Sequence, residues 1–202
     1  MKEILLDIKK ELRANMNGVA SAAMRQTADY RVNWGIEVPR IHTIAEEFRS
    51  EANHELAQAL WNESVRECKI LATLLMPVER FDEELCDIWM ENIRTDEIAQ
   101  MFCLNLMTRL PFASVKAFEW ISSSEAAEGE EAAQSSQKEN CGYLTLCHLM
   151  RKGELSERSA DEFLDQASTA LNNKYAIKAL QIFGSKSEDN ARKVKNIADY
   201  LV

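Results

Sequence analysis

Three sets of side chains in this sequence have the types and spacing to act on a ligand. The first is a single carboxylate. "ENIRTDEIAQMF" (residues 91–102) sets Asp96 directly after Thr95, at the opening of an apolar run. At about 100° per residue, Ile98, Ala99, Phe102, Cys103 and Leu106 make one apolar arc, and Asp96 borders it beside Gln100. A carboxylate placed there can reach into a groove. It can also serve the helix alone: Thr95 is a good N-cap, and Asp96 and Glu97 complement the positive end of the helix dipole, each worth about 0.5–1 kcal/mol. The second set is basic, with Lys174, Lys178 and Gln181 at i, i+4 and i+7 on one helix face, then Arg192, Lys193 and Lys195. The third is a smaller basic pair, Arg66 and Lys69. Such stripes can neutralise phosphates, or they can be solvated helix faces. No Walker-type loop, dinucleotide glycine fingerprint or nucleophile elbow is present. The five cysteines lack CxxC spacing, so neither a cofactor nor a metal is expected.

The elements that position these groups read as helices throughout. Glycine and proline number six and three, while helix formers such as Leu, Ala, Glu and Lys dominate, so the expected class is all-α. The S/T-x-x-E capping box marks helix starts at Thr43–Glu46, Ser64–Glu67, Ser159–Glu162 and Ser185–Glu188. Helices are expected near 2–14, 17–29, 39–59, 62–75, 81–92, 95–109, 112–122, 140–152, 157–171, 173–183 and 187–201, with Gly184 as a left-handed C-cap. Pro77 and Pro111 lie 34 residues apart, each following one helix and opening the next, with matched apolar positions at the same offset. Paired helices at such a period are the sequence form of an α-α superhelix, or solenoid, whose second helices line a concave face; a plain bundle is the alternative. One domain over 1–202 is expected, interrupted by a flexible loop at "SSSEAAEGEEAAQSSQKEN" (122–140), which is polar and acidic. The four tryptophans sit beside apolar helical positions and are expected in the core.

The net charge of −9 excludes a uniformly basic nucleic-acid binder, but the charge is uneven. Residues 1–40 and 172–202 are basic and residues 41–110 strongly acidic. No apolar run approaches the roughly 20 residues of a membrane span, and the charged N-terminus is no signal peptide. An odd number of cysteines then points to reduced, buried thiols in a cytoplasmic protein.

Four stretches resemble the AlkD-like DNA alkylation repair family of HEAT-like helical repeats. "YRVNWGIEVPRIHTIAEEF" (30–48), "ALWNESVRECKILATLLM" (59–76) and "NNKYAIKALQIFG" (172–184) are similar to family segments in the same order. "NIRTDEIA" (92–99) is similar to the family's "W-D-x-V-D-x-L-A", with Asp96 at the catalytic aspartate, Asn92 in place of the tryptophan and Ile93 in place of the first aspartate. "ENCGY" (139–143) lies where the family has an arginine, and "LQIF" where it has a C-terminal tryptophan. The resemblance implies a monofunctional glycosylase that hydrolyses the N-glycosidic bond of alkylated purines in duplex DNA, and a monomer is expected. Its aspartate would stabilise an oxocarbenium-like transition state, without metal or cofactor. The missing aromatic and arginine positions keep open a HEAT-repeat scaffold that binds nucleic acid or a protein partner.

Overall fold

A computed structural model describes residues 2–28, 30–123 and 130–199. Among them are twelve α-helices and no strand, and the chain divides into two compact units, Met1–Leu106 and Met107–Val202. The first unit holds α1 (Lys2–Ala14), α2 (Gly18–Thr27), α3 (Val38–Glu47), α4 (His54–Trp61), α5 (Arg66–Leu75), α6 (Glu83–Glu91) and α7 (Asp96–Asn105). The second holds α8 (Ala113–Ser122), α9 (Glu130–Lys152), α10 (Glu157–Thr169), α11 (Lys174–Gly184) and α12 (Glu188–Asp199).

In the first unit α5 packs against α3, α4 and α7. It is apolar almost all round, and from Cys68 to Leu75 only Lys69 is not buried, as expected of a helix covered on several faces. Trp61 and Trp89 stack at 4.3 Å with their planes 3° apart, and Phe81 meets Trp89 edge-on at 5.0 Å. The Trp89 indole N–H donates to Gln58 Oε1 at 2.8 Å, so the buried ring leaves no polar atom unsatisfied. All four tryptophans are buried, as expected.

The segment between α2 and α3 runs extended across the amino end of α5. Val32 makes a parallel bridge to Val65, and Arg66 N–H donates to Val32 O at 2.9 Å. The Glu67 carboxylate, fully buried, accepts from Trp34 N at 3.1 Å and Ile36 N at 3.3 Å. Gly35 turns this segment with φ +72°, where a Cβ would lie 2.2 Å from Asn17 O. Only glycine fits both the dihedral and the approach.

In the second unit α9 packs on α8 and α11. Gly142 permits that closeness: a Cβ there would lie 2.6 Å from Ile121 Cγ1 and 2.7 Å from Ala117 O. Phe163 and Phe183 meet at 5.6 Å across α10 and α11.

Several local expectations are corrected. The helix expected over 39–59 breaks into α3, a 3-10 turn at Arg49–Glu51 and α4, where Asn53 Oδ1 accepts from Leu56 N at 2.9 Å. The capping boxes lie near helices without capping them. Thr43 sits inside α3, Val65 and not Ser64 is the residue before α5, Ser156 caps α10, and Ser187 Oγ accepts from Asn190 N before α12. Short polar motifs recur by composition, and the register is decided by which face is buried. Gly184 stays within α11 at ordinary helical φ, with Ser185 as the C-cap. The loop expected over 122–140 is helical from Glu130 onward, because its Glu, Ala, Gln and Lys are helix formers. Positions 124–129 of that loop, 29 of the second expected helix and 200–201 of the last lie outside the described residues.

Candidate functional site

The amino end of α7 carries both roles that its sequence allows. Thr95 is extended and nearly buried, and its Oγ1 accepts from Ile98 N at 3.4 Å, so it is the N-cap. Asp96 follows it into the first turn and is exposed. It lines an open cleft with Met24, Ala28, Tyr30, Arg94 and Gln100. Capping and access to a groove coexist because Thr95 supplies the cap oxygen.

Glu97 lines the same cleft and closes a largely buried ionic network. Arg66 grips it with both arms, Nε to Oε2 at 2.7 Å and Nη2 to Oε1 at 2.5 Å, and the Tyr30 hydroxyl donates to Oε2. The Arg66 side chain is 1% exposed, and its Nη1 also donates to Ile36 O at 2.8 Å and Glu67 Oε1 at 3.0 Å. Burial works against ionised Glu97, but the bonds from Arg66 and Tyr30 outweigh it and hold the carboxyl below the usual range. Burial and the bond to Glu97 push the Tyr30 phenol up to about 12. Arg66 is held charged against burial by Glu97 and Glu67. The network fastens the 30–36 segment to α5 and α7. The Arg66 guanidinium already faces two carboxylates and a carbonyl, and it also lines the cavity described next.

Lys69 opens onto a second cavity of about 300 Å³, lined by Tyr30, Arg31, Ser64, Asn92, Arg94 and Thr95 among others. Its Nζ donates to Trp61 O at 2.7 Å and lies 4.5 Å from the Trp61 ring centre. Burial, then the charge of Arg94, lowers its pKa to about 8. Arg94 is exposed and folds its guanidinium back onto Glu91 O at 2.5 Å, at the carboxyl end of α6 where cations are favoured. Tyr30, Arg94 and Thr95 line both cavities, so the two adjoin.

The remaining basic candidates belong to the second unit. Lys174 is exposed beside Tyr175, with Nζ 4.8 Å from the ring centre, and Lys178 is half-buried one turn on. Arg192, Lys193 and Lys195 lie exposed on α12, Lys193 3.7 Å from Asp189. His148 on α9 feels Arg151, Lys178 and Lys152; burial first, then these cations, lower its pKa to about 4. The two arginine-lined cavities and Asp96 form one set within the first unit, whereas the lysine stripe forms another within the second.

At the position of the family's tryptophan, Asn92 is exposed and donates its side-chain N–H to Ile88 O at 2.9 Å. Ile93, in place of the motif's first aspartate, is buried. The "ENCGY" segment lies within α9, where Asn140 Oδ1 accepts from Asn173 Nδ2 at 3.0 Å. The family model described as "DNA alkylation repair enzyme" matches residues 8–135, more than half of the sequence. The chain belongs to the DNA alkylation repair enzyme family. A solved structure from a new family of proteins related to the HEAT-like repeat DNA glycosylases, with affinity for branched DNA structures, is similar to it with a TM-score of 0.81. The two are 15% identical, and the likeness covers 96% of this chain and 82% of that one. It shows the fold, an all-α array of HEAT-like repeats. The comparison with curated proteins gives no match.

Within this member of the alkylation repair family, sequence reasoning missed Arg31 and Arg94. Arg94 carried a signal: a cation immediately before a helix N-terminus opposes the dipole, and its presence there needs a compensating contact. Arg31 carried none. The five cysteines are buried, and burial pushes the Cys68 thiol up to about 12. Among the described residues no cluster of His, Cys, Asp or Glu could hold a metal ion, and no helix is long and apolar enough to cross a membrane.

Proposed function

We propose that this protein binds DNA through the adjoining cavities at the amino ends of α5 and α7, as a repair-family member that reads the DNA backbone. The observation that carries this reading is the convergence of Arg31, Lys69 and Arg94 beside Asp96 in a chain of this family. The related protein with affinity for branched DNA supports extending the tests to junctions. Cations at such a groove release counterions from the backbone, so affinity falls with salt. The basic residues of α11 and α12 (Lys174, Lys178, Arg192, Lys193, Lys195) extend the same reading as further phosphate contacts.

One observation favours a second, catalytic reading: exposed Asp96 stands on a cleft at the family's aspartate position. An N3- or N7-alkylated purine is a cationic leaving group and departs without a strong general acid. A carboxylate beside the sugar then stabilises the oxocarbenium-like transition state and orients water for hydrolysis. Fluorescence anisotropy on duplex, four-way-junction and methylated duplex DNA, with 7-methylguanine release measured in parallel, separates the two readings. DNA binding with no release above the buffer control leaves the binding reading alone. Release lost in Asp96→Asn establishes the catalytic one, and absence of DNA binding at low salt overturns both.

A further inference from the structure

The cavity that holds Lys69 has an electrostatic character that a groove tracking an ordinary DNA backbone does not require. Four cations line it: Arg66 is paired with Glu97 and Glu67, and none of the other three, Arg31, Lys69 and Arg94, has a carboxylate partner within salt-bridge distance among the described residues. Glu63, the carboxylate in its lining, is bound by Lys9 from α1. Glu97, on the adjoining cleft, is held by Arg66 and Tyr30. The cavity therefore gathers positive charge; burial first, and then the charge of Arg94, lowers the pKa of Lys69. Donor capacity is left over as well. An ammonium has three N–H groups, and one of Lys69's reaches Trp61 O; the bonds of Arg94 to Glu91 O and Ile93 O use only Nη1. Ser64, Asn62 and Asn92 add neutral polar groups to the wall.

A phosphodiester in a continuous strand carries one negative charge, whereas a terminal phosphomonoester carries about −1.5 to −2 at pH 7 and has three free oxygens. Three cations without a carboxylate partner around a cavity of about 300 Å³ match the second ligand better than the first. We infer that the cavity lined by Arg31, Lys69 and Arg94 is a phosphomonoester site, taking the terminal phosphate of an interrupted nucleic-acid strand. The inference rests on the DNA-binding reading for its source of phosphate, though not for the anion site itself. It implies that the protein acts at a strand end, after a reaction that cuts the strand.

The experiment compares fluorescein-labelled DNA carrying a nick or a recessed end with phosphate or hydroxyl at the terminus, on either the 5′ or the 3′ side. Inorganic phosphate serves as the second probe, read by thermal shift. The expected result is binding about tenfold tighter for one phosphorylated end over its hydroxyl counterpart, with competition by millimolar phosphate. Arg31→Gln and the double variant Arg31→Gln/Arg94→Gln should lose that preference while keeping their helical circular-dichroism spectrum. Arg31 is exposed, so the single variant keeps the test valid if the double variant does not fold. Equal affinity for phosphorylated and hydroxyl ends, with no thermal shift in phosphate, overturns the inference even if DNA binds. A thermal shift in phosphate that the variants lose, without any DNA binding, sustains the anion site, removes the DNA reading and makes a free phosphomonoester the ligand.

Discussion

Replacing Glu97 by Gln removes the charge opposite a guanidinium that is 1% exposed while keeping the shape of the side chain. Breaking a buried pair by removing one partner costs about 3–5 kcal/mol, because the other charge is left uncompensated. Three features reduce that figure here. The Glu97 side chain is 33% exposed, so water reaches the site; Glu67 stays 3.0 Å from Arg66; and the Gln oxygen still accepts one bond. The expected loss is therefore about 2 kcal/mol, or roughly 4–8 °C in melting temperature for a chain of this size. Urea unfolding followed by tryptophan fluorescence in a Trp120→Phe background measures it, since Trp34, Trp61 and Trp89 all lie in the first unit. The pH dependence gives a second reading. Glu97 has a lower pKa folded than unfolded, so its contribution is complete above the unfolded value and is lost as pH falls through the folded one. Relative to Glu97→Gln, the wild-type protein should lose its advantage only below about pH 4.5. A Glu97→Gln protein within 0.5 kcal/mol of wild type, with the same acid limb, would refute the view that this pair holds the 30–36 segment in place.

Two further outcomes follow from particular contacts. Gly35→Ala puts a Cβ 2.2 Å from a backbone oxygen at φ +72°, so unit 1 should lose more than about 2 kcal/mol in the same urea assay. His148 should titrate near pH 4 in a proton NMR experiment; because the unfolded imidazole takes its proton first, stability attributable to it is lost as pH falls from about 6.5 to about 4, and His148→Gln should flatten that part of the stability curve.

Much of the fold was legible because helix formation and burial leave a periodic trace. The apolar arc of Ile98, Ala99, Phe102 and Cys103 is buried, Asp96 lies beside it, and the tryptophans are in the core. Motifs read singly did less well. Ser64-Val-Arg-Glu67 has the form of a capping box, yet Glu67 turns to the backbone of Trp34 and Ile36, a partner more than 30 residues away. Arg66 was legible as a cation but not as a buried one, because its acceptors come from Glu97, Glu67 and Ile36 on three segments. The pairing of Arg31 with Arg94 was invisible for the same reason, since they meet only when the 30–36 segment crosses the amino ends of α5 and α7.

The sequence by itself determined the all-α class, the buried arcs, the position of Asp96 and the family resemblance, since each depends on residues within a few turns of one another. Only the tertiary structure decided which cations remain without a carboxylate partner and which are consumed by the fold. Charge compensation acts through space over a few ångströms, and it is set by side chains that lie tens of residues apart in the chain.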